Sequence, residues 1–429
     1  MVIAIILGWE TISIDCLNAF VQATIDRPTF IQIPRGFRTK ANDNETCLSL
    51  NKGLYGLSRS PKLFYDFATG TLIKIGFVKS ISDPCLFFRD GLIVITYVDD
   101  FGIAFKTKDK LEEFLKQLEA HSLAYTREES FHEFLGIQIN KLEDGTLLLT
   151  QRGLIKKILE ASNMQGCNTA TTPAEVAALS AHKDAEPFDG TEFNPRSIVG
   201  MLLYLATNTR IDIALAVSQV CRFTSCFKKP HADALKRIIK YLKGTIDQGT
   251  IVKPEGDLNL KCWVDADFAG LYKREDNEDP SSARSRTGYI IALSGVPLYW
   301  KSTLQKEACT ASAESEYVAL GHAMKALMPL IELVKECCTQ VGLPANTVAN
   351  IHADVFEDNN ACLVIATKQM LTSRTRWFHQ RWHWFWQIIR TNPNIKLHKV
   401  ESAMQWADFL TKALPRETFE KIRKLVQKW

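Results

Sequence analysis

A chain of 429 residues, 46% apolar and 23% charged, has an ordinary globular composition, long enough for two or three domains. A net charge of +4 and a pI of about 8.4 exclude a strongly basic or acidic chain, so any surface for a polyanion must be local. Eleven cysteines, with no CxxC among them, argue against a disulfide framework or a zinc knuckle. They suit a reducing compartment and are expected, nearly all, as small buried hydrophobes.

In chain order, the apolar start Met1–Leu7 lacks the basic region and cleavage site of a signal peptide and is too short to span a bilayer. It reads as the end of a core helix. No other stretch is expected to cross a membrane, and the chain is expected to be soluble. Residues 12–15 form a strand ending in an acid, and Phe30-Ile-Gln-Ile33 alternates before the turn at Pro34-Arg-Gly-Phe37. Leu63, Phe64, Phe67 and Leu72 have helical spacing within 61–72. Residues 92–97 and 101–105 read as a hairpin with Asp99 and Asp100 at its tip, followed by a helix over 108–119. Residues 134–139 and 146–150 read as another strand pair.

Residues 152–248 carry apolar stripes for helices over 196–207, 212–223 and 231–242, without a catalytic cluster. From about 258 the strand pattern returns. A strand over 258–264 ends at Asp265, and 288–293 and 296–300 pair around Ser294-Gly295. Helix follows over 314–341, strand over 350–355, helix over 358–367, strand over 394–400, and helices over 403–410 and 416–429. The polar stretch 275–282 reads as an exposed loop. The expected organisation is a first α/β region at 1–150, a helical region at 151–257 and a second α/β domain at 258–429.

Two adjacent aspartates at a hairpin tip point differently, because side chains alternate along a strand. Asp15, ending a neighbouring strand, offers a third carboxylate. Such like charges gather at low cost only around cations. Hard divalent ions such as Mg²⁺ prefer carboxylate oxygens, and two of them about 3.5–4 Å apart serve phosphoryl transfer. Phe20, just beyond Asp15, stands where an aromatic ring could exclude a ribose 2′-hydroxyl.

The ordered series Asp15-Cys-Leu-Asn-Ala-Phe20-Val-Gln22, Pro34-Arg-Gly-Phe37, Leu54-Tyr-Gly-Leu-Ser-Arg-Ser-Pro61, Tyr97-Val-Asp-Asp100, Phe134-Leu-Gly-Ile137 and Tyr241-Leu-Lys-Gly-Thr245 resembles the reverse transcriptase of copia-type LTR retrotransposons. The resemblance implies a right-hand polymerase palm, a helical thumb or connection, and an RNase H-like α/β domain, an α+β/α/β multidomain fold. It makes Asp15, Asp99 and Asp100 polymerase metal ligands and Phe20 the steric gate. It puts Gly56 in the loop that lets the backbone approach template and nucleotide, and Phe134–Ile137 in the primer grip. About fourteen residues precede Asp15, so most of the fingers segment is expected to be missing.

The resemblance continues through Trp263-Val-Asp265-Ala-Asp-Phe-Ala-Gly270, Ser285-Arg-Thr-Gly-Tyr289, Ser315-Glu316-Tyr317, Asp358-Asn-Asn-Ala361 and Ala407-Asp408-Phe-Leu-Thr-Lys412. These stretches are similar to the family's RNase H domain and imply Asp265, Glu316, Asp358 and Asp408 as catalytic, metal-binding acids. Asp267 competes with Asp265, and Glu314 with Glu316; the first acid of the former pair and the one before Tyr317 match the family better. His383 stands where the family usually has a histidine, and either proton transfer or helix packing suits it. Trp377, Trp382, Trp384 and Trp386 crowd around it beyond the family pattern.

The expected cofactor is Mg²⁺ or Mn²⁺, two ions per site. The expected partners are RNA template, DNA primer, RNA–DNA hybrid and dNTPs, with other retroelement proteins and no membrane. Lys228, Lys229, Lys236, Arg237, Lys240 and Lys243, and Arg374, Arg376, Arg381 and Arg390, are candidates for phosphate contacts, as solvated faces are their ordinary use. The family's setting is the cytoplasmic virus-like particle, with the nucleus as the other compartment. The alternative expectation is a truncated, polymerase-inactive remnant that at most binds or cleaves hybrid.

Overall fold

The computed structural model describes residues 1–36, 47–128, 130–177, 179–272, 281–369, 375, 378 and 380–429. It divides into two compact units. The first comprises Met1, Ile3–Leu135 and Glu336–Ala345, the second Val2, Gly136–Lys335 and Asn346–Trp429.

In the first unit the strands Val78–Lys79, Leu86–Arg89, Leu92–Tyr97, Asp100–Phe105, Glu10–Cys16 and Tyr125–Arg127 form one sheet in that order. Alternation fixes its faces: Leu92 and Val94 point inward, as do Ile12 and Ile14 across the sheet. Helices Ser60–Lys74 and Lys108–Ala120 supply Phe64, Leu72, Leu111 and Phe114 to the same core. Pro61 opens the first of these helices, and the Thr107 side chain caps the second. The expected 92–105 hairpin is present, closed by Tyr97 opposite Asp100. The turn at Pro34-Arg35-Gly36-Phe37 falls partly outside the described residues.

The second unit begins with an antiparallel trio: Ile137–Lys141, Leu147–Thr150 and Thr250–Val252. The single strand expected over 134–139 is broken instead, because Leu135 and Gly136 both take positive φ between Phe134 and Ile137. Helices Pro195–Asn208, Ala214–Cys221 and Lys229–Gly244 follow, with a 3₁₀ turn at Ile211–Ile213 where one continuous helix was expected.

The remaining sheet runs Val296–Leu304, Arg286–Leu293, Leu260–Asp267, Ala353–Glu357 and Ile395–Lys399. The first three are antiparallel and the last two join in parallel. This is the expected RNase H-like arrangement. One core joins it to the preceding helices: Leu202, Leu205, Leu235 and Ile239 share a cluster with Trp263, Ile290, Phe409 and Ile422. Trp300 donates its indole N–H to the Ala206 carbonyl at 2.7 Å, and Arg286 donates to the Ser218 hydroxyl at 2.8 Å.

Helix Ser312–Gln340 corrects one expectation. Its 29 residues are long and apolar enough to cross a membrane by composition alone. In the fold its Ala319, Leu320, Ala323, Met324 and Leu327 are fully buried, so core packing accounts for the apolarity. The cysteines are a second correction: five of the eleven are buried, two are exposed, and all are free. The polar loop expected at 275–282 lies mostly outside the described residues, as do Arg374, Arg376 and Trp377.

Candidate metal centres

The strand Glu10–Cys16 lies antiparallel to Asp100–Phe105 with Asp15 directly opposite Asp100, and the Cys16 amide donates to the Asp99 carbonyl at 2.8 Å. All three expected aspartates therefore meet at one end of the sheet. Val98, at the hairpin tip, has φ 55°. A β-branched residue there carries backbone strain of about 1–3 kcal/mol, which the paired strands hold in place. Partial desolvation raises the Asp15 and Asp100 pKa values, and so does the Asp99 carboxylate. Glu128 adds to both shifts; its carboxylate accepts the Ser13 hydroxyl at 3.1 Å. Residue order did not single out Glu128.

Phe20 stands on the short helix Ala19–Gln22, its ring 4.7 Å from that of Tyr55. Gly53 packs so close that a Cβ there would come within 2.4 Å of the Phe20 carbonyl oxygen. Gly56 has φ +97°, which glycine adopts freely. The Ser60 hydroxyl donates to the Leu54 carbonyl at 2.7 Å and accepts the Leu54 amide, which closes the loop.

In the second unit Asp265, on Leu260–Asp267, Glu316, in the first turns of Ser312–Gln340, and Asp358 bring carboxylate oxygens within 4.8 Å of one another. Among the described residues this is the one group of acids, cysteines or histidines that converges so closely. Asp265 and Glu316 are 3% and 5% exposed. Burial, then the Asp408 carboxylate, pushes Asp265 up to about 7; burial, then Glu357, pushes Glu316 up to about 11. Glu316 accepts the Ala266 amide, yet its Oε2 is buried without a partner.

Three carboxylates gathered this tightly, with an unpartnered buried oxygen, fit a divalent cation with oxygen ligands. Asp408 begins the short helix Asp408–Thr411, and Lys412 pairs with it at 2.9 Å. Burial, more than any neighbour, raises the Asp408 pKa, and its carboxylate pushes on Asp265. The Thr411 hydroxyl donates to Asp265. Gly288 lies opposite Asp265 in the sheet, and a Cβ there would come within 2.6 Å of the Thr411 Cγ2. Only the absence of a side chain lets the 408–411 turn approach the strand.

Asp358 does not open its helix as expected. Asn359 caps the Cys362 amide at 3.1 Å, and the helix runs Asn360–Lys368. Asp358 stands one residue before the cap and accepts the Ser402 hydroxyl at 2.8 Å. The helix expected over 403–410 is two short turns, Ser402–Met404 and Asp408–Thr411.

The competing acids have other employment. Glu314 accepts both the amide and the hydroxyl of Thr310 at the helix start. Asp267 packs over the turn at Gly270, where a Cβ would collide with its carboxylate. Glu357 was missed. It is fully buried, and burial raises its pKa far above the usual range.

His383 accepts or donates at Nδ1 to the Tyr317 hydroxyl, 2.8 Å away, and its ring stacks on Trp386 at 4.2 Å. Burial lowers its pKa. The lysines expected to line a phosphate face are largely engaged within the unit. Lys229 pairs with Glu186, Lys236 with Glu192 and Arg237 with Glu175. Lys228 and Lys243 donate to backbone carbonyls. Arg381 pairs with Glu307, and Arg390 donates to Gln369.

Residues 1–176 match the family described as reverse transcriptase (RNA-dependent DNA polymerase). Over 423 residues the chain is 31% identical to the Retrovirus-related Pol polyprotein from transposon RE1 of Arabidopsis thaliana, covering 97% of this chain and 27% of that one. It is 29% identical over 432 residues to the Pol polyprotein from transposon TNT 1-94 of Nicotiana tabacum, covering 98% and 31%. The chain thus spans less than a third of these curated relatives. Among solved structures, the foamy viral protease-reverse transcriptase dRH in complex with double-stranded DNA aligns with a TM-score of 0.50 at 14% identity. That alignment covers 92% of this chain and 57% of the other.

Proposed function

The chain belongs to the copia-type retrotransposon Pol polyproteins, with its first 176 residues in their reverse transcriptase family, and from that premise we propose that it carries two phosphoryl-transfer centres. One extends a DNA primer on an RNA template; the other hydrolyses RNA in an RNA–DNA hybrid. We assign 1–150 to the palm, 151–257 to the connection and 258–429 to the RNase H domain. The observation that carries the reading is the convergence of Asp265, Glu316 and Asp358 within 4.8 Å at the end of the RNase H-like sheet.

Asp265, Glu316, Asp358 and Asp408 would hold Mg²⁺ or Mn²⁺ at the second centre, and Asp15, Asp99 and Asp100 at the first. Bound cations there supply neutralisation of developing charge and acidify the attacking hydroxyl or water. The protein's own groups fix the carboxylates. Thr411 holds one Asp265 oxygen, Lys412 steadies Asp408, and Ser402 orients Asp358. At the palm, Phe20, backed by Tyr55, would exclude the 2′-hydroxyl and so favour dNTPs. The structural neighbour's complex with double-stranded DNA supports a nucleic-acid duplex as the ligand, and an A-form hybrid is read by shape and backbone. The proposed setting is the cytoplasmic particle.

The test is to incubate the whole chain with Mg²⁺ on poly(rA)/oligo(dT) and, separately, on a 5′-labelled RNA in hybrid with DNA. Primer extension and internal RNA cuts are the expected products. Cutting without extension would restrict the function to the second centre, and the absence of both products would sink the reading.

A further inference from the structure

The strand Arg286–Leu293 opens with a charged side chain that the fold buries. Side chains two apart along a strand share a face, so Arg286 and Gly288 belong to the same one. Gly288 lies opposite Asp265 on one neighbouring strand and opposite Ser302 on the other. That face receives the Asp408–Thr411 turn, where the Leu410 Cβ would come within 3.0 Å of a Cβ at 288. A guanidinium is costly to bury, and apolar side chains of similar volume would pack there at lower cost. Nη2 of Arg286 has no hydrogen-bond partner among the described residues, so full pairing does not explain its presence.

Nη1 carries the contacts. It donates to the Ser218 hydroxyl at 2.8 Å, on helix Ala214–Cys221, and to the Ser302 hydroxyl at 3.2 Å. Ser302 in turn donates to the Leu410 carbonyl at 2.6 Å. A hydroxyl has a single hydrogen to give. With Arg286 donating to Ser302, that hydrogen is directed at Leu410, and the charge behind it strengthens the bond. The 405–411 segment is therefore held from two strands. On Leu260–Asp267, the Val264 carbonyl accepts the Gln405 side chain at 2.8 Å, and Asp265 accepts the Thr411 hydroxyl. On Val296–Leu304 the hold is Ser302, with Arg286 behind it.

We propose that Arg286 is a positioning residue of the second centre: through Ser302 it fixes the turn that presents Asp408, while Ser218 sets its own place. This role rests on the reading of Asp265, Glu316, Asp358 and Asp408 as that centre. It needs no contact of Arg286 with cation or RNA.

Two readouts on the whole chain test it. One is steady-state cleavage of an RNA–DNA hybrid with Mg²⁺. The other is metal-free amide hydrogen exchange of peptides spanning 405–412, where the Leu410 and Lys412 amides donate to the Ala407 and Asp408 carbonyls. Ser302→Ala and Arg286→Gln are each expected to lower kcat about 10–100-fold at unchanged KM. Each should also speed exchange over 405–412, while peptides of the buried helix face at 235–242 exchange as in the parent. The double variant should lose no more kcat than the worse single variant, because the two residues act in series.

Should Arg286→Gln fail to fold by circular dichroism, Arg286→Lys is read in its place. It keeps the charge without the fixed fork, and a lower kcat with faster 405–412 exchange supports the proposal. Unchanged kcat, unchanged 405–412 exchange or a change confined to KM, in either folded single variant, overturns the positioning role and leaves the centre intact. Losses that add in the double variant do the same. No cutting by the folded parent overturns the reading of the centre and the proposal with it.

Discussion

Asp15 and Asp100 are direct cross-strand partners in an antiparallel pair, although 85 positions (100 − 15) separate them in the sequence. The strand ladder therefore sets their spacing, and the two-residue tip adds Asp99. Replacing Asp100 with Asn should leave the sheet intact and, if Asp100 holds the reacting ions as proposed, lower primer extension by about two orders of magnitude or more. Extension rates of Asp100→Asn and the parent, with melting curves as the folding control, decide the point. Parent-like extension would place the reacting phosphate elsewhere.

The second centre makes stability depend on pH. Burial pushes Asp265 up to about 7 and Glu316 up to about 11 in the folded chain, against ordinary values of 3.8 and 4.5. As pH rises from about 4, the unfolded chain loses these protons first, so the folded chain holds more protons and stability falls with pH. The metal-free melting temperature should decline from about pH 5 to pH 9, and excess Mn²⁺ should flatten the decline. A metal-free melting temperature that rises over this range would contradict the assigned burial of the acids.

The RNase H-like sheet shares its core with the preceding helices, through Trp263 and Ile290 on one side and Leu202 and Leu235 on the other. A fragment of residues 255–429 would expose that face and is expected to aggregate or remain molten. A fragment of 136–429 should unfold cooperatively. Urea unfolding of both, followed by tryptophan fluorescence, checks this; a cooperative transition in the shorter fragment would mean that the shared core is dispensable.

Arg210 and Asp212 form an ion pair with both side chains fully buried, and Tyr241 donates to the same carboxylate at 2.7 Å. Asp212→Ala would strand the guanidinium and should destabilise the chain by about 3–5 kcal/mol. Equilibrium urea unfolding reads the loss directly. A change below about 1 kcal/mol would show that Arg210 finds water or another acid.

Much of this was legible in the sequence where chemistry and local pattern coincide. The 92–105 hairpin combined alternating apolar residues with two acids, and the 288–300 hairpin had its Ser294-Gly295 turn written in the residues. Glu357 escaped notice because Asp358, next to it, matched a motif. The inward alternation of 353, 355 and 357 was the available signal. The helix cap moved from Asp358 to Asn359 because either side chain can cap, and only backbone geometry decides. The shared core was not legible either. An apolar stripe on Pro195–Asn208 announces that a face will be buried, but not that Trp300 will meet it at Ala206. The same limit applies to the basic helix Lys229–Gly244, whose acids, Glu175, Glu186 and Glu192, come from a distant loop.

The most direct test of the central claim is cleavage of a labelled RNA–DNA hybrid by the whole chain and by Glu316→Gln, with Mg²⁺ or Mn²⁺. The parent should cut the RNA strand of the hybrid and spare the same RNA alone. Glu316→Gln should fold as well as the parent and cut at least about a hundredfold more slowly, since one of the three converging carboxylates is gone. Equal cutting by a folded Glu316→Gln would contradict the account.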